Sequence, residues 1–136
     1  MAKHDQLDRK TLALVRLAAA VAQGYEPDIR DRVNGVRSAD VPAIWVEELL
    51  LQSVLMVGYP RTLVAYGIWR KLGPAHGPEE DPDTDYGRAG EWKERGEVTC
   101  ARIYGDNYRK LRENVRDLHP ALDAWMLVEG YGRTLS

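Results

Sequence analysis

The side chains that could do chemistry are few and scattered. Cys100 is the only cysteine, so the chain cannot assemble an internal disulfide, a CxxC redox pair or a multi-cysteine zinc site. A reducing, cytoplasmic setting is the natural expectation. His4, His76 and His119 show neither HxH nor HExxH spacing, which predicts no metal site. His119, just before Pro120, reads as a helix cap. No glycine-rich run ends in Gly-Lys-Ser/Thr or reads GxGxxG, so no nucleotide cofactor is expected. Two features remain. Asp28 and Arg32 stand four apart, the spacing of an ion pair on a helix surface. Glu48 interrupts an apolar run, where a buried carboxylate needs either a salt-bridge partner such as Arg61 or a catalytic use.

The elements that must position these groups read as helices throughout. Leu12, Val15, Ala19 and Ala22 recur at helical intervals, and Leu14, Leu17, Ala18 and Val21 widen the apolar face until burial on several sides is expected. Asp8 is a fair cap for this helix and Gly24 a fair stop. A second, amphipathic helix starts at Pro27 and buries Ile29, Val33 and Val36. Asp40 followed by Pro42 suggests the start of a third, central helix, whose apolar stretch from Ile44 to Val57 is too long for a typical strand. After Gly58, Tyr59 and Pro60, a fourth helix runs to Gly73. The nineteen residues 73–91 hold four glycines, three prolines and six acids, the composition of a linker. Beyond it, helices are expected over Trp92–Tyr104, from Tyr108 to Leu118, and from Pro120 to about Tyr131. No segment alternates as a half-buried strand does, so the fold class is all-α, with about six or seven helices. The chain reads as one domain, with a core at 1–72, a linker at 73–91 and a helical segment at 92–136.

Bulk properties narrow the function classes. With 136 residues, 44% hydrophobic, 29% charged and a formal charge of -2, the chain resembles an ordinary globular protein rather than a fibrous or disordered one. The start MAKHDQLDRK is polar, and the run Leu12–Ala22 is only eleven residues and is broken by Arg16; no membrane segment is expected. Residues 93–136 carry eight basic and seven acidic side chains, too balanced for phosphate attraction, so nucleic acid is an unexpected partner. Trp45, Trp69, Trp92 and Trp125 read as core or interface anchors.

The run LDRKTLALVRLAAAVAQGYEPDIRDRVNGVRSADVPAIWVEELLLQSVLMVGYPRTLVA resembles the core of the carboxymuconolactone decarboxylase and alkylhydroperoxidase AhpD-like superfamily. The likeness is carried by Leu7 to Thr11, by Gly24, by Glu48 to Gln52 and by Gly58 to Pro60, in order over about sixty residues. Ile103 to Tyr108 and Glu129 to Ser136 are similar to a segment that precedes that core in the lactone decarboxylase. Here it follows the core, so the resemblance implies a circularly permuted order. It further implies an AhpD-like helical bundle that assembles with itself into trimers or hexamers, which suits the apolar excess of these helices.

Carried over residue by residue, the resemblance also implies what is missing. Ala13 stands at the family's glutamate position, Tyr25 and Asp28 at its two cysteines and Arg32 at its histidine, so CxxC thiol peroxidase chemistry is not expected. Ala13 cannot move a proton, and Arg32, always protonated, suits an anion clamp better than a general base. The pocket so implied takes a small carboxylate, with Arg32, Asp28 and Arg61 binding and Tyr25 or Glu48 supplying a proton. Two readings stand: a lyase of the decarboxylase type acting on a small organic acid or lactone without redox cofactor, or a catalytically silent homologue kept as an oligomeric scaffold or ligand-binding protein.

Overall fold

The computed structural model describes residues 6–134; His4, Leu135 and Ser136 lie outside them. The helices are α1 (Arg9–Gln23), α2 (Glu26–Ser38), α3 (Ala43–Val57), α4 (Tyr59–Leu72), α5 (Ala89–Tyr104), α6 (Tyr108–Leu118) and α7 (Pro120–Trp125), with a π-helical segment over Met126–Arg133. No strand occurs among the described residues, and the fold class is all-α as expected. The chain divides into two compact units, one ending at Gly77 and the other beginning at Pro78.

In the first unit, local chemistry sets the helix ends. The Asp8 carboxylate accepts from the Thr11 amide at 3.0 Å and from its hydroxyl at 2.7 Å, capping α1. Gly24, at φ 75°, ends it in the left-handed conformation that glycine adopts without steric penalty. Asp40 departs from expectation: it does not start α3. It sits at φ 54° inside the closing turn of α2, where the Val41 amide reaches back to the Val36 carbonyl at 3.0 Å. Pro42 takes the cap position of α3 instead.

Leu17 and Val21 of α1, Ile29, Val33 and Val36 of α2, Val46 and Leu50 of α3 and Ala65, Ile68 and Trp69 of α4 form one apolar core. α1 buries a single face rather than several, since Val15, Ala19 and Ala22 are exposed. Alanine adds so little apolar area that its exposure costs little. α3 likewise is not enclosed: Trp45, Leu55 and Met56 are exposed.

The second unit is built on a close approach of α5 to the π-helical segment. A Cβ on Gly96 would lie 1.8 Å from the Leu127 carbonyl oxygen, and one on Gly132 2.0 Å from that of Trp92, so only glycine permits the two backbones to touch. Trp92, Cys100 and Leu127 are fully buried beside that contact. The later part of the 73–91 stretch belongs to this unit, with short 3-10 turns at Pro82–Thr84 and Tyr86–Arg88. Asp83 there accepts from the Trp92 indole at 2.8 Å and from Arg95 at 3.3 Å. Arg133 stacks over Tyr86 and Trp92, 5.1 and 5.4 Å from the ring centroids. The buried Asp123 takes two hydrogen bonds from Arg112, at 3.1 and 2.9 Å, and one from Arg116 at 3.2 Å. As expected, His119 caps α7, its Nδ1 accepting from the Ala121 amide at 3.0 Å.

Candidate functional site

The first unit brings Arg9, Arg16 and Arg32 together along the groove between α1 and α2. On α1, Arg9, Leu12, Ala13, Arg16, Ala19, Ala20 and Gln23 recur every three or four residues and so form one wall. On α2, Asp28, Arg32, Gly35 and Ala39 do the same. Ala13 on α1 and Gly35 on α2 are too small to fill the space between the walls. Two adjoining hollows remain, one of about 130 Å³ lined by Arg9, Ala13, Arg16, Arg32 and Gly35 among others, and one of about 210 Å³ lined by Arg16, Gln23, Asp28 and Arg32 among others. Arg16 and Arg32 belong to both.

Arginines outnumber carboxylates on the walls, three to one. Arg9 donates to the Ser38 carbonyl at 3.1 Å, tying the start of α1 to the end of α2. Among the described residues, Arg16 and Arg32 make no hydrogen bond and no ion pair. Asp28 lines the same hollow as Arg32, yet the surface ion pair that their spacing allows does not form; the helical pair found on α2 is Arg30 with Glu26, at 3.8 Å. Two guanidiniums facing one groove, with Asp28 beside them but not in a direct ion pair with either, are drawn together by an anion placed between them.

Of the other residues singled out by sequence, Tyr25 is 61% exposed at the start of α2. Arg61 donates to the carbonyl of Ala22 at the end of α1 and lies against Gly24, where a cation suits the free carbonyls of a helix terminus. Glu48 is partly buried on α3 and has contacts of its own. None of these three lines the two hollows described. Ala13 and Arg32, by contrast, share a wall of one of them.

Sequence reasoning passed over Glu47. Its carboxylate is gripped by both Arg70 terminal nitrogens, at 2.5 and 2.8 Å, and by the Trp69 indole at 2.9 Å. Tyr66 donates to its backbone carbonyl at 3.2 Å, and burial, with the nearby Glu47 charge, raises the Tyr66 phenol. This cluster locks α3 to α4 and holds both oxygens of the Glu47 carboxylate. Sequence reasoning also missed Arg9 and Arg16. Among the described residues, no group of three His, Cys, Asp or Glu side chains is placed to hold a metal ion, and no helix is long and apolar enough to cross a membrane.

A bundle of four short helices with an arginine-lined groove between the first two is the class of protein defined so far. The carboxymuconolactone decarboxylase family model matches residues 1–71, and the chain belongs to that family. That match lies within the first compact unit. No curated protein and no solved structure matches the chain.

Proposed function

We propose that the chain binds a small organic carboxylate in the α1–α2 groove, using Arg16 and Arg32 as the anion clamp, and that proton transfer at carbon is not the property it keeps. The observation carrying this reading is the pair of unpartnered arginines bordering both hollows, with Ala13 lining one of them. A carboxylate accepts two parallel N–H bonds from a guanidinium, so the pair supplies geometry as well as charge. No redox cofactor enters the reading. Its setting is cytoplasmic, in keeping with the single, fully buried cysteine.

The lyase reading has one observation in its favour: Asp28 borders the same hollow as the two arginines and is a carboxylate able to accept a proton from a bound acid or lactone. One experiment separates the two. Small carboxylates, their methyl esters and the corresponding lactones are screened by thermal shift and calorimetry, with carbon dioxide release followed in parallel. The binder reading expects stabilisation by the carboxylates alone, at 100 times Kd about 2.7 kcal/mol, lost in Arg32→Ala, and no gas. Carbon dioxide release that vanishes in Asp28→Asn would replace it with the lyase reading, and stabilisation by esters equal to that by acids would remove the anion clamp.

A further inference from the structure

The charges of the α1–α2 groove are ordered along its length. The two helices run antiparallel, with Arg9 at the start of α1 tied to the Ser38 carbonyl at the end of α2. The hollow that Arg9 borders lies toward that end, and the hollow bordered by Gln23 and Asp28 lies toward the turn at Gly24. Arg16 and Arg32 stand between, on the rim of both. Asp28 is the one carboxylate on these walls, and among the described residues it makes no ion pair and no hydrogen bond. It stands four residues from Arg32, about 6 Å of helix rise. Ala19 and Ala20 line the same hollow, a stretch of wall without a polar side chain.

We infer that the ligand of this groove is a straight-chain ω-amino acid. Its carboxylate lies between Arg16 and Arg32, its methylenes run past Ala19 and Ala20, and its ammonium meets Asp28. The inference rests on the anion clamp proposed above and adds what the other end of the ligand carries. A plain alkanoate leaves Asp28 without a counter-charge. A dicarboxylate reaching the same way sets a second anion against Asp28, which reverses the sign of that interaction. An α-amino acid holds both charges on one carbon, too close together to meet Arg32 and Asp28 at once. Gln23, from the opposite wall of the same hollow, adds an amide oxygen that accepts from an ammonium. Binding alone is inferred, with no covalent step.

The test is calorimetry at low ionic strength on the full chain, Asp28→Asn and Arg32→Ala. Straight-chain ω-amino acids of increasing length are compared with the alkanoate, the dicarboxylate and the α-amino acid of the same length. At the best length the ω-amino acid is expected to bind about fivefold tighter than the alkanoate, the worth of one solvent-exposed ion pair. Asp28→Asn should close that gap, and Arg32→Ala should weaken every acid in the series. Both substituted side chains are exposed, so unchanged helical circular dichroism is expected of both variants. Alkanoates that bind as tightly as the ω-amino acids overturn the inference and leave the anion clamp standing. So does a dicarboxylate or an α-amino acid that binds more tightly, or a preference for the ω-amino acid that survives Asp28→Asn. If no acid in the series binds, the clamp and this inference fall together.

Discussion

Replacing Gly96 by alanine tests the packing of the second unit at its tightest point. The added Cβ would sit 1.8 Å from the Leu127 carbonyl oxygen and 2.7 Å from its carbon. Both are backbone atoms, so no side chain can swing away. Bringing the contact to the 3.0 Å below which real Cβ atoms do not go requires α5 and the π-helical segment to part by about 1.2 Å. A gap of that size forfeits a large part of the dispersion contacts along the seam, and that seam buries Trp92, Cys100 and Leu127 completely. Loosening such a core costs about 3–5 kcal/mol, and alanine returns about 1 kcal/mol of helix propensity, leaving a net loss of about 2–4 kcal/mol. The matched control is Gly67→Ala in α4, where nothing lies within 4 Å of the new Cβ and a gain of about 0.5–1 kcal/mol is expected. Urea denaturation followed by circular dichroism, with hydrogen exchange of the α5 amides to place the effect, reads both variants. A Gly96→Ala protein as stable as the parent, with α5 protection intact, would refute the close-approach argument.

Three further outcomes follow from the same geometry. Glu47→Gln removes one partner of a bidentate pair whose side chains are 15% and 22% exposed, and is expected to lose about 2–3 kcal/mol in urea melts; Glu47→Gln with Arg70→Met should lose less than the sum of the single changes. Asp40→Gly relieves a left-handed residue at φ 54° and should raise stability by about 1 kcal/mol, read as a higher melting temperature. The hydrogen bonds from Arg112, then Arg116, hold the Asp123 carboxyl below its ordinary 3.8. The unfolded chain therefore takes up that proton first, so the stability contributed by Asp123 is complete above pH 3.8 or so and drains away as pH falls through the lower folded value. Asp123→Asn should flatten that acid limb in melts between pH 7 and pH 3, and an unchanged limb would contradict the assignment.

Much of the architecture was readable because helix ends are decided locally. Asp8, Gly24, His119 and Pro120 act within three or four residues of themselves, and each ends or starts a helix as its type suggests. Asp40 misled because aspartate serves equally at a helix start and in the left-handed turn after a helix, and only the φ angle tells them apart. The π-helical segment was not legible: Met126 to Arg133 carries an ordinary helical pattern, and its wide turns go with the approach of α5 at Gly96, a partner thirty residues away. Gly130 and Gly132 were the available signal. Burial of individual tryptophans was equally hidden, since Trp69 and Trp92 are enclosed while Trp45 and Trp125 are 47% and 62% exposed, a distinction set by which faces find a neighbour.

The groove was half legible, and the missing half explains its chemistry. Asp28 and Arg32 were found because they occupy positions at which the resemblance predicts reactive groups, whereas Arg16 was read only as a charge that breaks the apolar run Leu12–Ala22 and Arg9 was not singled out. Their spacing held the clue: 9, 13 and 16 on α1 share a face, as do 28, 32 and 35 on α2, and the small residues at 13 and 35 leave unfilled space between the two faces. A site that moves protons needs a group whose charge changes near working pH within reach of substrate. Arginine does not change charge, alanine has none to give, and Asp28 is the one carboxylate on the walls of the two hollows. A groove walled by such residues favours an anion over its neutral ester at every pH where the acid is ionised, and that favour weakens as salt screens the exposed guanidiniums. Binding that is equally tight at low and high ionic strength would mean that the ligand is held by something other than Arg16 and Arg32.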